Sequence, residues 1–481
     1  MNSRMKPRKL IIKYILCDIL AAILSWSLFF LFRKLTIDHI PLADASNIFG
    51  DSNYWRGLLL VSAGWIALYA VIGSYAQPRR KSRLKELGQT ATASIIGVTV
   101  LFFAIMLDDG ISTYKLYYAS FLFLLLTHFF LTYLGRYILT TRTVKMVHTR
   151  KIGFPSIIIG SGERAYKLFL DLENQALYTG NTFKGYIELP HSDGTGHHSS
   201  QLSRIMPRLG SLADTREIIQ QMHIEEALIA IEDDEMDQIR DIMLTLTSAE
   251  NLIIRITPDA RDLLVGRVKV DNIFHSPLIT IQSRLMPQWQ YNVKRLADIV
   301  VSLLALIVLS PVYLVTAILV KCTSPGPVFY AQERIGLYGR PFKMHKFRSM
   351  YVDAESSGPA LSTDNDPRIT PFGRFMRKVR LDEIPQFYNV LKGTMTLVGP
   401  RPERQYYIDQ IVKKAPEYML LQRLKPGITS WGQVRFGYAS NVDEMIERLQ
   451  FDLLYTENMS LATDIKILLY TIIIIIQGRG K

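Results

Sequence analysis

Four apolar stretches, residues 10–32, 57–76, 89–107 and 116–139, crowd the N-terminal third of the chain. Each is long enough to cross about 30 Å of hydrocarbon, which takes roughly 20 helical residues. In lipid a backbone must satisfy its own hydrogen bonds, so such stretches become helices. A wholly soluble enzyme is excluded. The first stretch is too long for a removable signal peptide and no small-residue cleavage site follows it. Arg4, Lys6, Arg8 and Lys9 precede it, Arg79, Arg80, Lys81, Arg83 and Lys85 separate the second stretch from the third, and Arg136, Arg142, Lys145, Arg150 and Lys151 follow the fourth. The other two connections carry Asp38, Asp44, Asp51, Asp108 and Asp109. By the positive-inside rule both ends of this bundle lie in the cytoplasm. Asp18, inside the first stretch, reads as a helix–helix hydrogen-bonding group.

The net charge of +13 over 481 residues raises the question of nucleic acid. The basic residues sit beside membrane segments without interleaved aromatics, so anionic lipid is the better partner and no nucleic acid is expected. Cys17 and Cys322 are the only cysteines, which excludes a disulfide scaffold or a cysteine zinc site.

After Lys151 the pattern becomes that of an α/β unit. The apolar run 156–159 leads into Gly160-Ser161-Gly162-Glu163-Arg164-Ala165 and a helical stretch to about residue 172. Gly160, Gly162 and Ala165 fit a G-x-G-x-x-[GA] dinucleotide fingerprint, and Glu188 stands near the position of a ribose-binding acid. Runs 227–231 and 252–256 read as buried parallel strands. No redox or epimerase group accompanies them; the Tyr-x-x-x-Lys pair Tyr388/Lys392 lies far downstream. The unit is therefore a nucleotide site or a regulatory or dimerising module, with a homodimer surface as one use. The polar stretch 191–200, with His197 and His198, reads as a solvated loop.

A fifth apolar stretch, 296–320, has Lys294 and Arg295 on one side, Lys321 on the other and Ser310-Pro311 at its middle. Proline removes a backbone donor and clashes with the preceding turn. The freed carbonyl needs a partner, which the Ser310 hydroxyl is placed to supply. A kinked span and a hairpin returning to the same face are the two readings; symmetric basic flanks favour the hairpin, with Asp298 helping to hold its limbs near the headgroups.

Beyond Ser324 the chain is rich in Arg, Lys, Gly and Pro, and the pair Asp382-Glu383 is its focus. Residues 384–391 suit a helix, with Pro385 in the first turn and Gly393 as the stop. Asp382 would then lie at or near an N-cap, where a phosphate is attracted. One carboxylate could attack phosphorus while the other holds magnesium. Arg368, Arg374, Arg377, Lys378 and Arg380 precede the pair, and Arg401 and Arg404 follow it; guanidinium forks match phosphate oxygens. Spacing alone leaves open that Asp382-Glu383 is merely helix N-terminal charge.

Residues 285–481 resemble the bacterial sugar transferase family, monotopic phosphoglycosyl transferases. The resemblance rests on Lys294-Arg295 with Asp298, Ser310-Pro311, the block 346–350, Asp382-Glu383 and Gly399-Pro400-Arg401-Pro402. The four spans and α/β unit are similar to the long form that initiates exopolysaccharide or O-antigen assembly. The resemblance implies transfer of a hexose 1-phosphate, galactose or glucose 1-phosphate above all, from a UDP-sugar to undecaprenyl phosphate with release of UMP. It implies Asp382 as nucleophile, Glu383 as Mg²⁺ partner alongside Asp382, and Lys346, Arg348, Arg380 and Arg401 as phosphate or nucleotide contacts. It also implies a re-entrant hairpin and a catalytic domain on the cytoplasmic face of a bacterial inner membrane. Thr394 and Ser430 depart from the family's usual residues.

The chain thus reads as a multi-domain membrane protein. It has a four-helix transmembrane domain (1–145), a central Rossmann-like α/β domain (150–280), and a re-entrant hairpin with an α+β catalytic domain (285–481). The tail 464–477 is too short to span and reads as a buried or interfacial helix, and 442–455 as a structural helix. Two other readings remain: a membrane-anchored nucleotide-sugar dehydratase or epimerase, and a non-enzymatic nucleotide-sensing regulator of polysaccharide export.

Overall fold

The computed structural model describes residues 7–37, 39, 50–106, 114–175, 178–189, 201–247, 249, 252–257, 278–281, 285–354, 358, 361, 366–437 and 439–477. Asp38, Asp44, Asp108, Asp109, His197 and His198 lie outside these residues. The chain divides into two compact units, Met1–Gly153 with Gln175–Asn181, and Phe154–Asn174 with Thr182–Lys481.

In the first unit, helices Pro7–Thr36, Ser52–Ile72, Arg83–Ala104 and Tyr114–His148 are long and apolar enough to cross a membrane. Their faces are inside out relative to a water-soluble bundle. Along the first, Leu10, Tyr14, Asp18, Ala22, Ser25 and Phe29 face inward at helical spacing, while Ile12, Leu16, Leu20, Leu24 and Leu28 form the exposed stripe. The fourth turns Ser120, His128, Thr132, Arg136 and Thr140 inward and Leu122, Leu126, Phe130 and Leu134 outward. Such polarity suits a lipid exterior, and the inward polar groups find one another. His128 Nδ1 lies 3.0 Å from Ser25 Oγ, and its Nε2 lies 2.8 Å from Tyr69 OH. Small residues let the helices close: Gly57 faces the Trp26 ring and Gly97 the Trp65 ring, where a Cβ would collide. One sequence expectation needs correcting. Arg136 is not a flanking charge at the end of the bundle but wholly buried inside it, because Asp18 requires a counter-charge there.

The second unit begins with a six-stranded sheet, β1 (Phe154–Ile159), β2 (Asn181–Glu188), β3 (Arg208–Ser211), β4 (Glu226–Ile229), β5 (Ile253–Ile256) and β6 (Ile279–Ile281). Its order is β3-β2-β1-β4-β5-β6. The β2–β3, β1–β4 and β4–β5 pairs are parallel and β6 closes antiparallel on β5. This is the strand order of a doubly wound dinucleotide fold. β1 and β4 are nearly continuous apolar runs because both of their faces are covered.

Helices Gln288–Val308 and Ser310–Thr323 follow, bent by 61° at the break. Pro311 falls in the first turn of the second limb, and Ser310 Oγ donates to the Ile307 carbonyl at 2.7 Å, so the serine accommodates the break as its position suggested. Both limbs expose apolar side chains, Leu303, Leu304, Ile307 and Val308 on the first and Leu314, Val315 and Ile318 on the second. The basic pair at the start is not a lipid-facing flank. Arg295 donates to the Val390 and Leu391 carbonyls, and Lys294 Nζ to Val398 O at 2.8 Å and Asp464 at 2.5 Å. Nor does Asp298 link the two limbs: it accepts from Thr396 Oγ1 and Leu397 N, tying the first limb to the C-terminal core, since a carboxylate facing protein finds backbone and hydroxyl donors there.

That core has an antiparallel hairpin, β7 (Phe329–Ile335) and β8 (Pro341–Phe347), and a parallel pair, β9 (Thr396–Val398) and β10 (Gly427–Thr429). Helices Pro371–Lys378, Gln386–Lys392, Gln405–Lys414 and Val442–Glu457 surround them. The C-terminal helix Leu461–Ile476 buries Asp464 and Ile467 and exposes Ile465, Leu469, Tyr470, Ile472 and Ile476.

Candidate active site

Asp382 and Glu383 sit in a single 3-10 turn, Leu381–Glu383, between helices Pro371–Lys378 and Gln386–Lys392. The turn is possible because Arg380 takes a left-handed backbone (φ 57°), which reverses the chain and brings its own side chain back onto Glu383. A non-glycine residue there stores about 1–2 kcal/mol of strain. The pair lies near a helix N-cap, as its spacing suggested, but not at it. Pro385 is the N-cap of a seven-residue helix, too short for its dipole to dominate, so side-chain cations set the field instead. Gly393 does end that helix, with φ 86° and its N–H on the Asn389 and Val390 carbonyls.

The two carboxylates have opposite surroundings. Glu383 Oε1 accepts from Lys346 Nζ of β8 at 3.2 Å and Oε2 from Arg380 Nη1 at 3.1 Å. Burial alone would raise its pKa, but Lys346, Arg380 and Arg401 outweigh that and hold it down to about 2. Asp382 is 7% exposed and, among the described residues, in no ion pair. Burial, and then the charge of Glu383, push it up to about 6 against the pull of Lys346 and Arg377. One group is a fixed anion and the other a carboxylate destabilised in its charged form, the division expected of adjacent groups with different tasks.

Both border a cavity of about 390 Å³ whose wall includes Lys346, Arg348, Arg377, Arg380 and Arg401, and, unforeseen from the sequence, Arg334, Glu403 and Arg448. Lys346 and Arg380 are thus brought onto the dyad. Arg401 Nε lies 4.0 Å from Glu403. Arg348 borders the cavity but is not placed as a phosphate fork: Nη1 and Nη2 donate at 2.7 Å to the Pro325 and Ser324 carbonyls, because the chain leaving helix Ser310–Thr323 needs those carbonyls satisfied. Tyr313, on helix Ser310–Thr323, donates to the Ile384 carbonyl at 2.6 Å, joining that helix to the turn that carries the dyad. Thr394 bonds Asn389 locally, and Ser430 caps helix Trp431–Arg435 by accepting from Gln433 N, so both departures have structural uses.

Asp382 and Glu383 are oxygen donors of the kind magnesium takes, with both Glu383 oxygens accepting from Lys346 and Arg380 in this structure. Magnesium prefers oxygen and commonly takes one or two carboxylates, with substrate phosphate and water completing the shell. The described residues hold no group of three metal-capable side chains, so a protein-only cage is absent among them.

In the α/β part, Gly160 has φ 115° and Gly162 precedes helix Glu163–Glu173. The Glu232 carboxylate already accepts from Arg164 N at 2.8 Å. Ala165 is on the buried face of that helix, and Glu188 is ion-paired with Arg208 at 2.9 Å. Tyr388 and Lys392 lie on helix Gln386–Lys392 of the catalytic core, Tyr388 exposed. No dehydratase pair therefore accompanies the dinucleotide-type loop.

Comparison with known proteins reaches the same part of the chain. The bacterial sugar transferase family profile matches residues 289–478. A UDP-N-acetylgalactosamine-undecaprenyl-phosphate N-acetylgalactosaminephosphotransferase of Aeromonas hydrophila is 41% identical over 220 residues, 46% of this chain and 51% of that protein. A UDP-glucose:undecaprenyl-phosphate glucose-1-phosphate transferase of Escherichia coli (strain K12) is 40% identical over 220 residues, 44% of this chain and 47% of that one. The match thus spans about half the length of these two relatives. An uncharacterized sugar transferase of Haemophilus influenzae is 30% identical over 453 residues, covering 89% of this chain and 90% of that protein. With the dyad, the bent helix pair and a match along nearly the whole length, this chain belongs to the bacterial sugar transferase family, in its long form.

Proposed function

We propose that the protein transfers a hexose 1-phosphate from a UDP-sugar to undecaprenyl phosphate. The reaction proceeds in two displacements at Asp382. An Asp382 carboxylate oxygen attacks the β-phosphorus of the donor, and the bond from that phosphorus to the oxygen bridging the α-phosphate breaks, so UMP leaves with the electron pair. A phosphate oxygen of undecaprenyl phosphate then attacks the same phosphorus. The aspartyl–phosphorus bond breaks, the carboxylate is regenerated and the lipid diphosphate sugar departs. Lys346 and Arg380 offset the charge that gathers on the transferred phosphate. Glu383, with Asp382, would hold Mg²⁺, which supplies charge neutralisation of the donor diphosphate when bound.

The observation that carries this reading is the asymmetry of the dyad: Glu383 fixed by two cations, and Asp382 buried beside the same cavity without an ion pair among the described residues. The contact from Tyr313 to Ile384 links that turn to an apolar hairpin, which suits a site serving a water-soluble donor and a lipid acceptor in turn. We place the hairpin as re-entrant and the site on the cytoplasmic face of a bacterial inner membrane. This would be the first membrane step of exopolysaccharide, O-antigen or capsule assembly. Glucose and N-acetylgalactosamine, the sugars in the relatives' names, are with galactose the first donors to try.

The test incubates membranes holding the full chain with radiolabelled UDP-sugars and undecaprenyl phosphate, then reads label in the lipid phase and UMP in water. Equimolar appearance of both is expected for one sugar. Labelled lipid with UDP as the by-product would overturn the reading.

A further inference from the structure

Glu403 closes the turn that follows β9, is 3% exposed, and has no role in the two displacements. Its Oε1 accepts from Arg448 Nη2 at 2.6 Å and its Oε2 from Arg334 Nη1 at 3.2 Å, while Arg401 Nε stands 4.0 Å away. Three guanidiniums therefore converge on one carboxylate, and all four side chains border the cavity that holds the dyad. Burial alone would raise the Glu403 pKa; Arg448, Arg334 and Arg401 together hold it below the usual carboxylate range, so it is an anion at working pH.

The arginines differ in what they have left to give. Arg334 is a strut: Nε and Nη2 go to Gln332 Oε1, and Nη1 to Pro402 O as well as Glu403. Arg448, from helix Val442–Glu457, commits only Nη2, to Glu403, in hydrogen bonds among the described residues. A buried ion cluster is a poor source of stability, since apolar replacements of similar volume often do as well or better. On a cavity wall it has another use.

We propose that Glu403 is a positioning residue and Arg448 a donor-binding residue. Glu403, anchored on Arg334, holds the Arg448 guanidinium at the cavity wall, where it takes the phosphate of the nucleotide half that leaves as UMP. Lys346 and Arg380 are left for the phosphate that Asp382 attacks. This assignment rests on the phosphoglycosyl transfer reading above and adds the part of the cavity that recognises the nucleotide.

The test uses the full chain in membranes with the UDP-sugar the unmodified protein accepts, and measures KM for donor and acceptor separately, kcat, and inhibition by UMP. Arg448→Lys and Glu403→Gln should each raise donor KM roughly 10–100-fold, the range of a charge-assisted hydrogen bond. UMP inhibition should weaken by a similar factor while acceptor KM stays within about twofold. The double variant should be no worse than the poorer single, since both act through one contact. A fall in melting temperature with donor KM unchanged would mean a purely structural cluster and overturn the proposal; so would equal shifts in donor and acceptor KM. If Glu403→Gln fails to fold, Arg448→Lys, which keeps the charge, decides alone. Failure of the underlying reading looks different: the unmodified protein itself would release no UMP from any UDP-sugar.

Discussion

Asp18 and Arg136 are joined inside the bundle by two parallel hydrogen bonds, Arg136 Nε to Asp18 Oδ1 at 2.9 Å and Nη2 to Oδ2 at 2.8 Å. Tyr75 OH donates to the same carboxylate at 2.9 Å, and Glu86, itself paired with Lys81, stands 3.8 Å from Arg136 Nη1. The first and fourth helices are thus pinned by a bidentate ion pair with no access to water. Removing one partner strands the other charge, which costs about 3–5 kcal/mol, whereas removing both restores neutrality. Asp18→Leu and Arg136→Leu should each lower the melting temperature of the detergent-solubilised protein more than Asp18→Leu/Arg136→Leu does. Additive losses in that cycle would show that the pair is not coupled.

The dyad gives the pH dependence a sign. In the proposed reaction Asp382 attacks as a carboxylate and has to be ionised, and burial together with the charge of Glu383 pushes its pKa up to about 6. UMP release should therefore rise as pH climbs through that value and level off near neutrality, the apparent pKa belonging to the pair. Asp382→Ala should abolish UMP release. Glu383→Gln removes the neighbouring like charge, so the acid limb should move to lower pH while the Mg²⁺ needed for half-maximal rate increases. An unmoved acid limb together with an unchanged Mg²⁺ titration would remove Glu383 from both roles.

Much of this was legible because membrane and α/β elements write their periods plainly. The exposed stripe of Leu16, Leu20, Leu24 and Leu28, the strand–Gly160–helix order and the Ser310-Pro311 break all reflect local rules. What was missed is non-local. Arg136 reads as a flank because a basic residue near the end of an apolar run looks alike whether it meets headgroups or Asp18, 118 positions away. Lys294 and Arg295 misled for the same reason, their partners being Asp464 and the carbonyls of Val390 and Leu391. Arg448 sits in a helix whose apolar spacing is fully explained by packing, and its pairing with Glu403 spans 45 positions. Burial of Asp382 depends on the left-handed turn at Arg380, a position that composition does not flag.

The bend between the two limbs makes a topological prediction. The Ser310–Ile307 hydrogen bond and Pro311 hold the two limbs at 61°. A reporter fused after Gln477 should lie on the same side of the membrane as one fused after Arg150. Replacing both residues, Ser310→Leu with Pro311→Leu, restores the missing N–H and a continuous apolar helix long enough to span. In that variant a fraction of the C-terminal reporters should cross. Opposite sides for the two reporters in the unmodified chain would end the re-entrant reading.

The α/β domain has the strand order of a dinucleotide fold but an acid where the phosphate would sit. Glu232 accepts from Arg164 N, filling the donor position at the start of helix Glu163–Glu173, and a Cβ on Gly162 would strike its carboxylate. A dinucleotide phosphate would have to displace that carboxylate and then bear its repulsion. We therefore expect NAD⁺ to leave the unfolding temperature of the full-length protein unchanged. A bound ligand at ten times its Kd would instead add about 1.4 kcal/mol. Glu232→Gln keeps the hydrogen bond and should be nearly neutral, while Glu232→Ala leaves the helix end uncapped and should cost about 1 kcal/mol. Calorimetric binding of NAD⁺ to the unmodified protein, lost in Gly162→Val, would show that Glu232 yields to a ligand and that the loop is a working nucleotide site.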